Sequence, residues 1–245
     1  MLGRLDAAFA SQRHFVANAS HELRTPLAIM RTEVDVALAD PDASRDELRA
    51  MGDAVRETID RCERLIESLL MLARSEAAAR RAEPVDIAGL AADCITDLHA
   101  RAEDAHVEVH TDLSPAWTLG DMSLLERMIA NLIDNGIRHN EPGGFLSVST
   151  QARDGRVELR VVNGGARIEP ADAETLTEPF RRLDRSFGGF GLGLSIVRSV
   201  VDAHGGTLEL VAPDTGGLDI RIELGAGREP AAPLLPNSSG AFTPS

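Results

Sequence analysis

The N-terminal third of the chain carries more apolar side chain than two helices of one molecule can hide, and that surplus narrows the folds open to it. Residues 8–39 place Phe9, Val16, Leu23, Met30 and Ala37 seven apart, with Ala19, Leu27 and Val34 widening the stripe. This is the pattern of a long amphipathic helix. Asp40-Pro41-Asp42 breaks it, and Ser44 with Glu47 three residues on forms a capping box that opens a second helix. The second helix repeats the spacing at Leu48, Val55, Cys62 and Leu69, flanked by Met51, Ile59, Leu65, Ile66 and Leu72. Two helices share only one side, so the seam predicts that two chains pair their hairpins as a dimeric four-helix bundle.

Beyond the hairpin the pattern changes. Ala77 to Pro84 turns to Ala, Arg and Glu and ends in proline, which suits a helix end and a hinge at 80–84. From Val85 to Leu224, short alternating stretches (107–109, 146–150, 157–162, 207–211, 218–224) interleave with helical patterns at 88–103, 121–139 and 192–204. That alternation predicts an α/β sandwich over 85–226. The fold expected is therefore multidomain, α and α+β, with a helical hairpin at 8–79 ahead of the sandwich. Residues 1–7 read as the end of an upstream linker, and 227–245, rich in Pro, Ser, Gly and Ala, as a disordered tail.

Charge and cysteine usage exclude several functions. A net charge of −14 and a pI near 4.9 argue against a surface that neutralises nucleic-acid phosphates or anionic lipid. Cys62 and Cys94 lie far apart with no metal-ligand spacing, which favours buried thiols in a reducing cytosol. No apolar run approaches the roughly 20 residues that span a bilayer, so the polypeptide is expected to be soluble.

Two groups of residues carry chemistry. With Val16 and Leu23 on the seam, His21 falls on the face turned away from it, where a neutral imidazole offers a nucleophilic lone pair to an outside reactant. Thr25 follows one turn later on the same face. Pro26 deprives the Glu22 carbonyl of its partner and is expected to kink the helix beside His21. His14, seven residues earlier, reads as a solvated surface residue. In the second domain, Arg127, Asn131, Asn135 and Arg138 recur at i, i+4, i+8 and i+11 as one polar stripe. Leu125, Met128, Ile129, Leu132 and Ile133 face the core.

Phe15-Val16-Ala17-Asn18-Ala19-Ser20-His21-Glu22-Leu23-Arg24-Thr25-Pro26-Leu27 resembles the phosphoacceptor box of bacterial sensor histidine kinases. Asn131-Leu132-Ile133-Asp134-Asn135 with Arg138-His139 resembles the N box of the same family. Glu178-Pro179-Phe180-Arg181-Arg182-Leu183 resembles its F box, and Gly189-Phe190-Gly191-Leu192-Gly193-Leu194 its second glycine box. The resemblance spans about residues 9–224. It implies a GHKL-type ATP-binding domain after the hairpin, autophosphorylation of His21 from ATP, and transfer to an aspartate of a response-regulator receiver domain.

By the same resemblance, His21 is the nucleophile, Glu22 orients or deprotonates its ring, and Thr25 positions water for a phosphatase activity. Asn135 is the Mg²⁺ ligand, with Asn131, Arg138 and His139 near the phosphates. Asn163, Gly165, Arg182, Gly189, Gly191, Leu192, Gly193 and Leu194 complete the nucleotide site. Glycine lets backbone N–H groups approach phosphate, and the following helix presents its positive end to it. The start of the chain resembles a linker that follows a transmembrane helix, which implies either a membrane-anchored parent with this core in the bacterial cytoplasm or an unusual soluble kinase.

The chain departs from the family at Asn163-Gly164-Gly165-Ala166-Arg167. Asparagine stands where an adenine-binding aspartate is usual, and Arg167 stands at a glycine position, where positive φ would be strained. These departures keep open a pseudokinase, acting as a phosphatase or scaffold, and a non-kinase GHKL ATPase of gyrase or heat-shock type. Dimerisation, by contrast, follows from the apolar seam alone. A fragment covering 8–79 is expected to sediment as a dimer and 84–226 as a monomer, and the reverse result in analytical ultracentrifugation would contradict the bundle.

Overall fold

The computed structural model describes residues 2–41, 43–75, 82–183 and 190–229, and the side chains of all of these but 2–16, 61 and 71–75. Helix α1 (Leu2–Ala39) runs unbroken through Pro26, which is buried. Thr25 Oγ1 donates to the His21 carbonyl at 3.3 Å one turn back.

Helix α2 (Arg45–Ser75) opens on the capping box expected from the sequence. The Ser44 N–H donates to Glu47 Oε2 at 2.8 Å, and the Glu47 N–H to Ser44 Oγ at 3.2 Å. Hydrogen bonds from Ser44 favour the ionised carboxylate and hold the Glu47 pKa below its usual value. The cap's contribution is therefore present above the normal carboxylate range and lost as pH falls through the lowered value.

The second domain is built on a five-stranded mixed sheet of order β2-β4-β5-β7-β6. Strand β2 (Glu108–Leu113) runs parallel to β4 (Phe145–Arg153), while β5 (Arg156–Asn163), β7 (Leu218–Gly225) and β6 (Thr207–Val211) continue antiparallel. Val157, Leu159 and Val161 on β5 and Leu218, Ile220, Ile222 and Leu224 on β7 are all buried, so the period of two turns one sheet face inward. Helices α3 (Ile87–Asp104), α4 (Met122–Arg138) and α6 (Gly193–Ala203) cover that face, and α5 (Pro170–Ala173) is a single turn.

His204, at the end of α6, ties two helices together. Its Nδ1 bonds the Val200 carbonyl at 2.7 Å and its Nε2 accepts the Asp121 N–H at 3.2 Å. Burial pushes the Cys94 thiol up to about 11, with the nearby carboxylates of Glu126, Asp97 and Asp93 adding to it. Such a thiol is unreactive. Cys62, also free, is only half-buried, which corrects the expectation that both thiols are buried.

Two short strands were not evident from periodicity. β1 (Glu83–Asp86) pairs antiparallel with β3 (Trp117–Gly120), and four residues containing Pro84 give no alternation long enough to recognise. They move the domain boundaries outward. Glu83 and Pro84 belong to a strand rather than to the hinge. Gly227 donates to the Trp117 carbonyl at 2.6 Å, so it belongs to the domain rather than the tail. Asp42 of the expected helix break, hinge residues 80 and 81, and 230–245 of the tail lie outside the described residues.

The hairpin also packs on the second domain. Leu65, expected in the bundle seam, is fully buried as part of the core cluster of the second domain, Leu23 and Leu69 also pack against that cluster, and α2 meets α6. Glu67 and Arg127 face each other at 3.6 Å across this contact, but their side chains are 65% and 37% exposed. Such a pair contributes below about 1 kcal/mol, whereas truncating a buried leucine costs roughly 2–5 kcal/mol. The apolar contact therefore decides the docking. Leu65→Asp is expected to separate hairpin and domain, read as a larger radius of gyration in small-angle scattering with unchanged helical circular dichroism. A radius equal to the native one would refute the docking.

Candidate nucleotide and phosphoacceptor sites

His21 is exposed on α1, as are Ser20 and Thr25 around it, while Glu22 is half-buried. Among the described residues, no hydrogen bond or ion pair joins His21 to the second domain; the group on it that is engaged is its own carbonyl, by Thr25. His21 is thus presented on its own helix, apart from the elements of the second domain.

The polar stripe on α4 faces the start of α6. Asp121 caps α4 by accepting the Leu124 N–H at 3.2 Å. Asn131 Nδ2 donates to the Arg127 carbonyl at 2.9 Å, which leaves Oδ1 turned toward α6: a Cβ added at Gly193 would lie 3.6 Å from it. Asn135 sits one turn further, half-buried, and its amide is engaged by none of the described residues. Arg138 Nη2 bonds Asp134 at 2.7 Å, and Arg101 of α3 pairs with the same carboxylate. The sequence stripe did not show this. A guanidinium has five donors, so Arg138 keeps others for an anion while Asp134 holds its direction. His139 is exposed at the C-cap of α4.

The F box and second glycine box lock together. The Phe180 N–H donates to the Gly191 carbonyl at 2.9 Å, and Phe180 has φ of 66°, rare for a bulky residue. Gly191, at φ 69°, lies where a Cβ would meet the Arg181 carbonyl at 2.6 Å and Arg182 Cγ at 2.8 Å. Only glycine fits. Leu192 and Leu194 are 3% and 7% exposed, so their side chains are core and only their backbone can face a nucleotide. Gly189 lies outside the described residues.

Asn163 closes β5, with Gly164 and Gly165 following. A Cβ at Gly165, φ 132°, would overlap the His139 carbonyl, so the loop after β5 lies directly against the end of α4. Arg167 takes no positive φ and pairs with Asp214 at 3.7 Å. The strain expected at that position does not arise, because the turn is made at Gly165.

Several residues of this site escaped the sequence reading. Gly216 and Gly217, at φ 91° and 77°, clasp the loop from the far side. Gly217 donates to the Ala166 carbonyl at 3.1 Å, and a Cβ on it would overlap the Asn163 carbonyl. Gly136, inside α4, lies where a Cβ would collide with Leu146 at 2.5 Å and touch Asn163 at 3.5 Å. Asn140 bonds the Gly136 and Phe145 carbonyls at 3.0 and 2.8 Å. The available signals were a glycine inside a strong helix and the Gly216-Gly217 pair, each of which costs stability unless backbone approach requires it.

The residues fit a cation brought in with a nucleotide. Among the described residues no three His, Cys, Asp or Glu groups cluster as a metal site. The Asn135 amide oxygen is a hard ligand of the kind Mg²⁺ accepts alongside phosphate and water.

Comparison with known proteins gives matches to both halves. Residues 11–78 match the family described as the His Kinase A (phospho-acceptor) domain. Residues 120–228 match the histidine kinase-, DNA gyrase B- and HSP90-like ATPases. Sensor protein CutS of Streptomyces coelicolor is 44% identical over 229 residues, covering 91% of this chain and 55% of CutS. The chain thus spans about half the length of the curated relatives it matches. The mycobacterial sensor histidine kinase MprB superposes with a TM-score of 0.54 at 33% identity, over 59% of this chain and 97% of that one. Histidine kinase ThkA, solved in complex with response regulator protein TrrA, shares the fold at a TM-score of 0.66 and 16% identity, over 91% of this chain and 64% of that one.

The clasp at Gly217 has a measurable cost. Gly217→Ala combines an αL residue, about 1–2 kcal/mol, with a backbone overlap, and is expected to lower the thermal midpoint well beyond the control Gly155→Ala. Gly155 has φ 75° but nothing within 4 Å of a new Cβ. Equal melting of the two variants would show that the clasp carries no packing constraint.

Proposed function

We propose, on the premise that this chain belongs to the sensor histidine kinases of two-component systems, that it transfers the γ-phosphoryl group of ATP to His21 and then to a response-regulator aspartate. One observation carries the reading. An exposed histidine stands on a helix apart from a polar cradle that holds Asn131, Asn135, Arg138 and two glycine turns. An imidazole nitrogen of His21 attacks the γ-phosphorus, the bond to ADP breaks, and the ring proton passes to a base, for which Glu22 is the adjacent carboxylate. The P–N bond then yields to an aspartate oxygen on the partner.

Transfer of this kind is mostly alignment and charge neutralisation. Asn131 and the backbone at Gly191 and Gly193 bind and orient the phosphates, and Arg138, steadied by Asp134, offsets their charge. Mg²⁺ at Asn135, when bound, would supply further neutralisation. Thr25, whose hydroxyl donates to the His21 carbonyl, orders water for hydrolysis of the receiver's phosphate.

Two further parts of the reading concern assembly. Leu27, Val36, Leu38, Ile59, Ile66 and Leu70 are between 44% and 79% exposed on the hairpin. That apolar surface supports a homodimer joined through a four-helix bundle. The complex of ThkA with TrrA supports a response-regulator receiver domain as the partner. We place the core on the cytoplasmic side of a membrane receptor, where ATP and regulators meet; no helix among the described residues is long and apolar enough to cross a membrane.

Incubation with γ-labelled ATP and Mg²⁺ is expected to place acid-labile label on the protein. His21→Gln should abolish the label and retain nucleotide binding, while His14→Gln leaves both unchanged. Label retained on the His21→Gln protein would refute the phosphoacceptor, and release of free phosphate without protein label would favour a plain ATPase.

A further inference from the structure

We propose that Arg101 is a positioning residue for Arg138: by occupying one oxygen of Asp134 it keeps the Arg138 guanidinium from closing on that carboxylate and leaves it available to phosphate. The inference rests on the nucleotide reading above and concerns a side chain outside every motif of the nucleotide site. It stands on α3, which packs against α4 beside the cradle.

The placement follows from how α3 and α4 lie together. Cys94 Sγ of α3 approaches the Glu126 carbonyl of α4 at 3.8 Å, and about two turns further along each helix Arg101 meets Asp134. The two helices therefore run side by side in the same direction. Arg101 stands in the last turn of α3, where the helix dipole favours a cation. Its carbonyl accepts the Ala105 N–H at 3.1 Å, which fixes the backbone that carries it.

Asp134 then has a cation on each oxygen. Arg138 Nη2 donates to Oδ2 at 2.7 Å, and Arg101 Nη1 is paired with Oδ1. Oδ1 is buried, and among the described residues no other donor reaches it. A guanidinium beside an open carboxylate takes both oxygens with its fork, because two parallel bonds hold better than one. Here the second oxygen is already taken. One bond sets the direction of Arg138, and its Nε and Nη1 have no partner among the described residues. Two guanidinium groups on one carboxylate also leave a positive charge in surplus, which suits an anion.

Exposure decides which part of this matters. The side chains of Arg101 and Arg138 are 53% and 33% exposed, that of Asp134 25%. Water and salt reach both arginines, so attraction between Arg101 and a phosphate at a distance is screened. Occupancy of Oδ1 is not lost in that way. An oxygen that already holds Arg101 cannot close a second bond with Arg138, so Arg101 acts through Asp134 rather than on the nucleotide.

The test titrates ATP, ADP and adenosine into the full chain and its variants at fixed Mg²⁺. Arg101→Ala is expected to weaken ATP and ADP about 2- to 5-fold, the scale of one solvent-reached ion pair, and to leave adenosine, which has no phosphate, unchanged. Arg101→Lys, which keeps a cation for Oδ1, should bind ATP within about 2-fold of native. In an Asp134→Asn background nothing draws Arg138 into a fork, so adding Arg101→Ala should change none of the three.

Equal losses for adenosine and ATP would show a merely structural role and overturn the proposal. So would native ATP affinity in Arg101→Ala, or an ATP loss as large in the Asp134→Asn background as in the native one, which would mean that Arg101 acts on the nucleotide directly. Arg138→Ala tests the reading beneath the inference and should weaken ATP about 10-fold. Unchanged ATP affinity in that variant would remove Arg138 from the phosphate site, and the inference with it. Arg101 is half exposed, so its replacement leaves the core intact.

Discussion

The nucleotide domain depends on the apolar contact that α4 and α6 make with each other and with the sheet. Leu125, Met128, Ile129, Leu132 and Ile133 on α4 and Ile196, Val197, Val200 and Val201 on α6 are at most 1% exposed. Burying one face of α4 leaves only the opposite face for Asn131 and Asn135, and placing α6 alongside brings Gly193 within contact distance of Asn131. His204 then ties the last turn of α6 to the first turn of α4. The polar cradle is the outer side of a hydrophobic contact, and its geometry is inherited from that contact.

The chemistry divides between two bodies. The polar cradle lies on the second domain, and His21 stands on α1 with Ser20 and Thr25 exposed beside it. The transfer proposed above requires approach, and approach is a property of how the hairpin docks. In the structure the docking is apolar at its centre, through Leu65, with the weak Glu67–Arg127 pair at its rim. An interface of this make-up is held by burial, which is non-directional, so it can slide without breaking directional bonds.

The departures from the family pattern have local explanations. Arg167 is tolerated because the loop makes its positive-φ turn at Gly165, and the guanidinium reaches Asp214 across the neighbouring turn. Asn163 is accommodated because the Gly164 carbonyl needs a donor, which a carboxylate cannot supply. Neither departure strains the loop after β5.

The parts of the protein legible in the sequence are those encoded over a few residues. Heptad spacing gave the hairpin, Ser44 and Glu47 the cap, alternation the five sheet strands, and i to i+4 repetition the Asn131–Asn135 stripe. Periodicity and capping are short-range, because they reflect how a helix or strand repeats along itself. What the sequence left open depends on residues far apart in the chain. The pairing of β1 with β3, the burial of Leu65 on α6, the clasp of Gly217 on Asn163 and the capture of Arg138 by Asp134 and Arg101 belong here, as does the direction of the Asn163 amide. No local pattern records these, since each is a choice among compact arrangements that the same helices and strands could make. Close packing across the whole core selects one of them.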